Sequence, residues 1–166
     1  LGPETNLSEG AVEIFGLDFA PNGQSLVTGG YANQVQGWQP SAGIGVPGYN
    51  FNETSVVTTL THSPDGTMLA VGTEKGLLRL WSLENNFLTQ TLSGHTGWVT
   101  GLAFSPNGVT LASAALDGSF RLWQVSDGQE KFALEVGVPL TSLAFDPRGE
   151  FIALGTQDGT TGLWSV

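Results

Sequence analysis

Residues 94–108 read GHTGWVTGLAFSPNG, and whether this stretch stands alone or is one copy of a repeat decides the architecture. Its tail, FSPNG at 104–108, recurs as FAPNG at 19–23, HSPDG at 62–66 and FDPRG at 145–149. A tryptophan follows each copy at a near-constant interval: Trp38, Trp81, Trp123 and Trp164, in steps of 43, 42 and 41 residues. Phe19, His62, Phe104 and Phe145, which open the turns, take the same steps. Two markers that share one drifting period identify an internal repeat.

Working outward, the segments after the turns are LVTGGYANQVQGW (26–38), LAVGTEKGLLRLW (69–81), LASAALDGSFRLW (111–123) and IALGTQDGTTGLW (152–164). Each is an apolar run, a polar turn and a second run ending in Trp, which is a β-hairpin pattern. Before each turn, segments such as WVTGLAF and PLTSLAF alternate apolar and polar residues as half-buried strands do. A fourth apolar stretch lies between repeats, at Phe87–Leu92 and again at Phe132–Val136. Four short strands per unit of about forty residues describe a blade of a β-propeller. The repeats span approximately 1–38, 39–81, 82–123 and 124–166, and the Gly/Pro-rich connection QPSAGIGVPGYN (39–50) is expected to be a loop.

Composition agrees with an all-β chain and excludes several functions. Of 166 residues, 40% are apolar, and 24 Gly and 8 Pro supply many turns. No run approaches a membrane span, and the first residues, LGPETNLSEG, show no secretory leader. The chain does not begin with Met, as expected of one processed or excised from something longer; a cytoplasmic setting is favoured. Without cysteine there are no disulfides or thiolate metal sites. A net charge of −10 opposes phosphate backbones and anionic lipid, so neither nucleic acid nor membrane is an expected partner. Two short glycosylation sequons, at Asn6 and Asn52, carry little weight.

The third repeat, with Gly94-His95, FSPNG and Arg121-Leu122-Trp123, resembles a WD40 repeat, and the resemblance covers nearly the whole chain in four copies. The eponymous Trp-Asp pair is replaced by Trp-Gln or Trp-Ser throughout. The resemblance implies an all-β, WD40-type propeller with four blades per chain. It also implies a structural tetrad of His, Ser or Thr, Asp and Trp, complete here only as His95, Ser113, Asp117 and Trp123. Repeats 1, 2 and 4 are then expected to rely more on packing. The same His, Ser and Asp invite a catalytic-triad reading, but in this family they bridge strands and expose no nucleophile. His62, in a phenylalanine position, reads as a partly buried core residue, and neither metal nor cofactor is expected.

Four blades are few for a ring of this kind. The favoured arrangement is two chains closing an eight-bladed ring, each N-terminal segment ETNLSEG (4–10) adding an outer strand to its partner's fourth blade. A closed four-bladed monomer and a piece of a longer propeller are the alternatives. By family resemblance, partners bind on one face through residues four and six before the Phe of each turn, and through the residue before the tetrad Asp. Those positions are Glu13, Phe15 and Tyr31; Val56, Thr58 and Glu74; Trp98, Thr100 and Leu116; and Pro139, Thr141 and Gln157. Phe15, Tyr31 and Trp98 are aromatic anchors, and Glu13 and Glu74 add negative charge, which suits a basic, apolar-tipped peptide or protein. Alternatively Trp98 packs on a neighbouring blade. The expected function is a non-enzymatic interaction module or scaffold; a small-molecule or glycan binder, or an enzyme with a site in the central channel, are the competing classes.

Overall fold

The computed structural model describes residues 13–166. Among them are fifteen strands and no helix, arranged as four antiparallel sheets of consecutive strands. Blade 1 is β1 (Ile14–Phe19), β2 (Leu26–Gly30), β3 (Gln34–Gln39) and β4 (Ile44–Asn52). Blade 2 is β5 (Val57–His62), β6 (Met68–Thr73), β7 (Leu78–Ser82) and β8 (Phe87–Leu92). Blade 3 is β9 (Val99–Phe104), β10 (Thr110–Ala115), β11 (Ser119–Gln124) and β12 (Glu130–Glu135). Blade 4 has three described strands, β13 (Leu140–Phe145), β14 (Phe151–Thr156) and β15 (Thr161–Ser165). The segment 4–10, expected as an outer strand, lies outside the described residues.

The repeated turn joins the first two strands of every blade. The carbonyls of Ala20, Ser63, Ser105 and Asp146 accept hydrogen bonds from the N–H groups of Gly23, Gly66, Gly108 and Gly149, three residues on. Proline presets the turn, and each of these glycines has φ near +70° (+68°, +73°, +72° and +71°), where a side chain would be strained. The repeat in sequence is therefore offset from the blade in space: Trp closes the third strand, and the outer strand belongs to the blade before it.

The connection at 39–50 is not a loop. It turns at 40–43 and then forms β4, a nine-residue strand. Glycine and proline are tolerated because β4 is an outer edge and its pairing with β3 is interrupted, Gln36 facing Asn50 while Trp38 faces Gly45.

Alternate residues of each sheet face opposite neighbours, so the core is three apolar layers between consecutive blades. Val27, Val35 and Phe51 of blade 1 meet Val57, Leu60, Leu69 and Val71 of blade 2. Leu78, Leu80 and Leu92 meet Val99, Phe104 and Leu111 across the next junction. Ala112, Ala114 and Phe120 meet Leu140, Ile152 and Leu154 across the third. The inner strands pack in sequence order, β1 on β5, β5 on β9 and β9 on β13. Among the described residues no such packing joins β13 back to β1, so the blades form an open arc.

Hydrogen bonds staple the junctions. Thr58 Oγ1 donates to the Val99 carbonyl at 2.6 Å, and Thr100 Oγ1 to the Leu140 carbonyl at 2.7 Å. At the first junction Asp18 accepts from the backbone N–H of His62 at 2.7 Å and lies 2.9 Å from its Nδ1. His62 is buried, as its phenylalanine register requires, but it is held by a carboxylate from the preceding blade.

Candidate functional site

Two groups of residues singled out in the sequence come together, one inside blade 3 and one on the surface. Inside blade 3, Trp123 Nε1 donates to Ser113 Oγ at 2.8 Å, and Ser113 Oγ lies 2.7 Å from His95 Nε2. His95 Nδ1 lies 2.7 Å from Ser119 Oγ and 3.3 Å from Asp117 Oδ2. The directions follow from the end groups. The indole can only donate and the carboxylate can only accept, and Ser119 Oγ donates to Asp117 Oδ1 at 2.7 Å. Hydrogens therefore run from Trp123 to Ser113 to His95 Nε2, and from His95 Nδ1–H towards Ser119 and Asp117, with His95 neutral. Ser113 is fully buried, so its hydroxyl is out of a substrate's reach. Ser119 was not singled out in the sequence. Its signal is the Asp-Gly-Ser run at 117–119, matched by Asp-Gly-Thr at 158–160, where Thr160 also bonds to Asp158.

This network is expected to make the blade sensitive to acid. Burial, only partly offset by Asp117, holds His95 below its ordinary 6.5. Burial alone would raise Asp117, but the Thr96 N–H and the Ser119 hydroxyl and N–H outweigh it and bring it down to about 2 from 3.8. Both groups bind protons more readily in the unfolded chain, so both make stability fall as pH falls. The His95 contribution is complete above pH 6.5 and is lost below it; that of Asp117 is complete above 3.8 and lost towards 2. The Asp117 shift corresponds to about 2 kcal/mol. Urea midpoints measured from pH 8 downwards are expected to decline in these two windows, and His95→Gln to remove the upper one. An upper decline that persists in His95→Gln would contradict the assignment.

Blade 2 carries a different brace. By repeat register Glu53 stands where blade 3 has His95, and its carboxylate accepts from Trp81 Nε1 and from Arg79 Nη1, each at 2.8 Å. The Glu53 side chain is fully buried; burial pushes its carboxyl above 4.5, and Trp81 and Arg79 oppose the rise. In blade 2, where greater reliance on packing was expected, an ion pair takes the place of His and Ser. In blade 1 Trp38 Nε1 reaches Thr28 Oγ1 directly at 2.9 Å. In blade 4 Val136 stands in the His95 register and packs against the apolar layer.

The surface group lies on the rim opposite the Pro–Gly turns. In every blade two of the three predicted positions meet through one backbone hydrogen bond: Tyr31 N–H to the Glu13 carbonyl, Glu74 to Val56, Leu116 to Trp98 and Gln157 to Pro139. Phe15 lies 5.1 Å from Tyr31 and 6.3 Å from Trp98, centroid to centroid, the latter edge-on. These three rings are 39%, 50% and 40% exposed, so they form a continuous aromatic surface open to solvent. The Phe15–Trp98 contact spans blade 2, whose residue in the Trp98 register, Val56, is buried. Glu13 and Leu116 are exposed on this rim and Glu74 is half-buried, while Thr141 and Gln157 are exposed on blade 4. Thr100, also expected on this face, is half-buried and donates its hydroxyl to the Leu140 carbonyl of the next blade. Thr58 is occupied in the same way.

Among the described residues no cluster of His, Cys, Asp or Glu could hold a metal ion, and no helix is long and apolar enough to cross a membrane. The family model described as "WD domain, G-beta repeat" matches the chain three times, at residues 45–82, 86–124 and 135–165. Among curated proteins the chain is similar to Meiotic fizzy-related protein 1 of Schizosaccharomyces pombe, at 34% identity over 83 residues, 49% of this chain and 20% of that protein. It is similar to Periodic tryptophan protein 2 homolog of Caenorhabditis elegans at 40% over 40 residues, 24% of this chain and 4% of that protein. WD repeat-containing protein srw1 of S. pombe is 44% identical over 48 residues, 29% of this chain and 9% of that protein. The matched region thus spans a fifth or less of the length of these relatives.

Proposed function

The chain belongs to the WD-repeat family, and from that premise we propose that it is a non-enzymatic protein-interaction module that holds a basic, apolar-tipped peptide or protein segment on its aromatic rim. The observation that carries this reading is the joined, exposed Phe15–Tyr31–Trp98 surface. Clustered exposed aromatics on a soluble surface lose favourable burial unless something covers them, and Trp and Tyr are the side chains most often dominant in protein contacts. Glu13, Glu74 and the net charge of −10 favour a cationic partner. A second element of the proposal is self-association, two copies completing one eight-bladed ring through the open ends of the arc.

Selection from a random-peptide library is the direct test. Recovered peptides are expected to pair Lys or Arg with an aromatic or large aliphatic residue. Trp98→Ala is expected to weaken the selected peptides by about 2 kcal/mol, roughly thirtyfold, with an unchanged urea midpoint. Peptides that bind Trp98→Ala as tightly as the parent would place the site elsewhere. Loss of folding in that variant would make Trp98 a structural residue, and enrichment on a glycan array in place of peptides would favour carbohydrate.

A further inference from the structure

We infer that the cleft between blades 2 and 3, beside their Pro–Gly turns, is a second docking site, and that it takes an extended peptide segment carrying a Lys or Arg next to an aliphatic side chain. The cleft lies at the opposite end of the strands from the aromatic rim, and its occupation does not depend on what the rim binds. Blades 2 and 3 are each packed on both sides by described residues of this chain, so the cleft is bounded wholly within it.

The cleft has a volume of about 420 Å³ and is lined by Pro64, Asp65 and Met68 of blade 2 and by Pro106, Asn107 and Val125 of blade 3. That volume is in the range of small ligand-binding clefts. Met68 and Val125 are half-buried and pack on the apolar layer between the two blades, so the apolar part of the lining is already held in place. The two prolines are exposed and lose no rotamer freedom when covered.

Asp65 is the one charged side chain in this lining. Its Oδ1 accepts from the Ser63 hydroxyl and from the N–H and hydroxyl of Thr67, whereas its Oδ2 has no protein partner among the described residues. These bonds, that of Ser63 foremost, hold the carboxyl below 3.8, so it is ionised at neutral pH. They also fix the carboxylate before any ligand arrives, which lowers the cost of binding.

The charge is not what the turn needs. In the turn register the four blades carry Asn22, Asp65, Asn107 and Arg148. Asn107 braces the blade 3 turn through the same oxygen, its Oδ1 accepting from the Ser105 hydroxyl and the Val109 N–H. An amide oxygen therefore serves this turn as well as a carboxylate does, and the negative charge of Asp65 is left over from folding. A fixed carboxylate beside an apolar lining, with no cation of its own to pair with, is complementary to a cationic segment with an aliphatic neighbour.

The test is a titration of the ¹⁵N-labelled chain, followed by amide chemical shifts, with acetyl-Leu-Arg-Leu-amide and with acetyl-Leu-Glu-Leu-amide. The arginine peptide is expected to shift Asp65, Thr67, Met68 and Val125, and the glutamate peptide to leave them in place. Asp65→Asn is expected to weaken the arginine peptide about fivefold, as for one exposed ion pair, with an unchanged urea midpoint because Asn107 shows that the turn accepts an amide. Asn107→Asp, which puts a second carboxylate on the opposite wall, is expected to strengthen it. Glu135→Gln, an equal change of charge on an exposed residue at the other end of blade 3, is expected to leave the affinity unaltered. No shift in the cleft up to the solubility limit of the arginine peptide overturns the site. Shifts confined to Phe15, Tyr31 and Trp98 do so too, while leaving the rim reading intact. An equal response to the glutamate peptide, or equal affinity for Asp65→Asn and the parent, overturns the choice of a cationic occupant. A loss in Glu135→Gln as large as in Asp65→Asn reduces the effect to net charge and overturns the local role of Asp65.

Discussion

Replacing His95 by alanine is expected to lower the melting temperature by roughly 10 °C, a loss of about 3–5 kcal/mol. The imidazole joins two otherwise separate groups, Ser113 and Trp123 on one side and Ser119 and Asp117 on the other. Its removal leaves the Ser113 hydroxyl without an acceptor and Ser119 Oγ without a donor, in a site where His95, Ser113 and Ser119 are all buried. Water cannot restore these bonds at bulk cost, and the vacated volume adds a cavity. The control is Lys75→Ala, an exposed change in a comparable turn, with an effect within about 0.5 kcal/mol. Equal melting temperatures for His95→Ala and the parent would show that the blade does not depend on the network. Loss confined to acid pH would contradict it as well, because His95 is neutral in the folded chain and its bonds are present at pH 7.

How much of this was legible beforehand depended on whether a feature repeated. The Pro–Gly turn and Trp kept one period, so the strands, their order and the four blades followed from the sequence. The positions of Phe15, Tyr31 and Trp98 followed from the same register, but their meeting did not: Phe15 and Trp98 touch across an intervening blade, and no spacing encodes that. The Asp18–His62 contact was hidden for the same reason, since it joins two blades and has no counterpart at the other junctions. β4 was missed because composition was weighed ahead of period: a blade needs an outer strand there, and an edge tolerates Gly and Pro. Glu53 was missed because the expected brace was sought as His, Ser, Asp and Trp. The available signal was positional, an acidic residue in the His95 register with Arg79 and Trp81 repeating Arg121 and Trp123.

That substitution of one brace for another leads to the second large effect. Arg79→Met should cost about 3–5 kcal/mol, because it strands the Glu53 carboxylate in a fully buried site with only the Trp81 N–H as partner. The pH dependence should then run opposite to that of the blade 3 network. Burial already holds Glu53 above 4.5, and removing the guanidinium takes away an opposing attraction, so its folded-state value rises further. A carboxyl raised on folding contributes most when protonated; its contribution is retained below the unfolded value of 4.5 and lost as pH rises through the raised one. The deficit of Arg79→Met relative to the parent is therefore expected to shrink as the solution is acidified towards pH 5, while the parent itself weakens through His95. Combining Arg79→Met with Glu53→Gln removes the charge but keeps a carbonyl oxygen for Trp81, and most of the loss should return at pH 7. The measurement is a set of urea midpoints for the parent and these variants at pH 5 and 7. A deficit independent of pH, or a double variant no more stable than Arg79→Met alone, would mean that the arginine acts through its packing and not through its charge on Glu53.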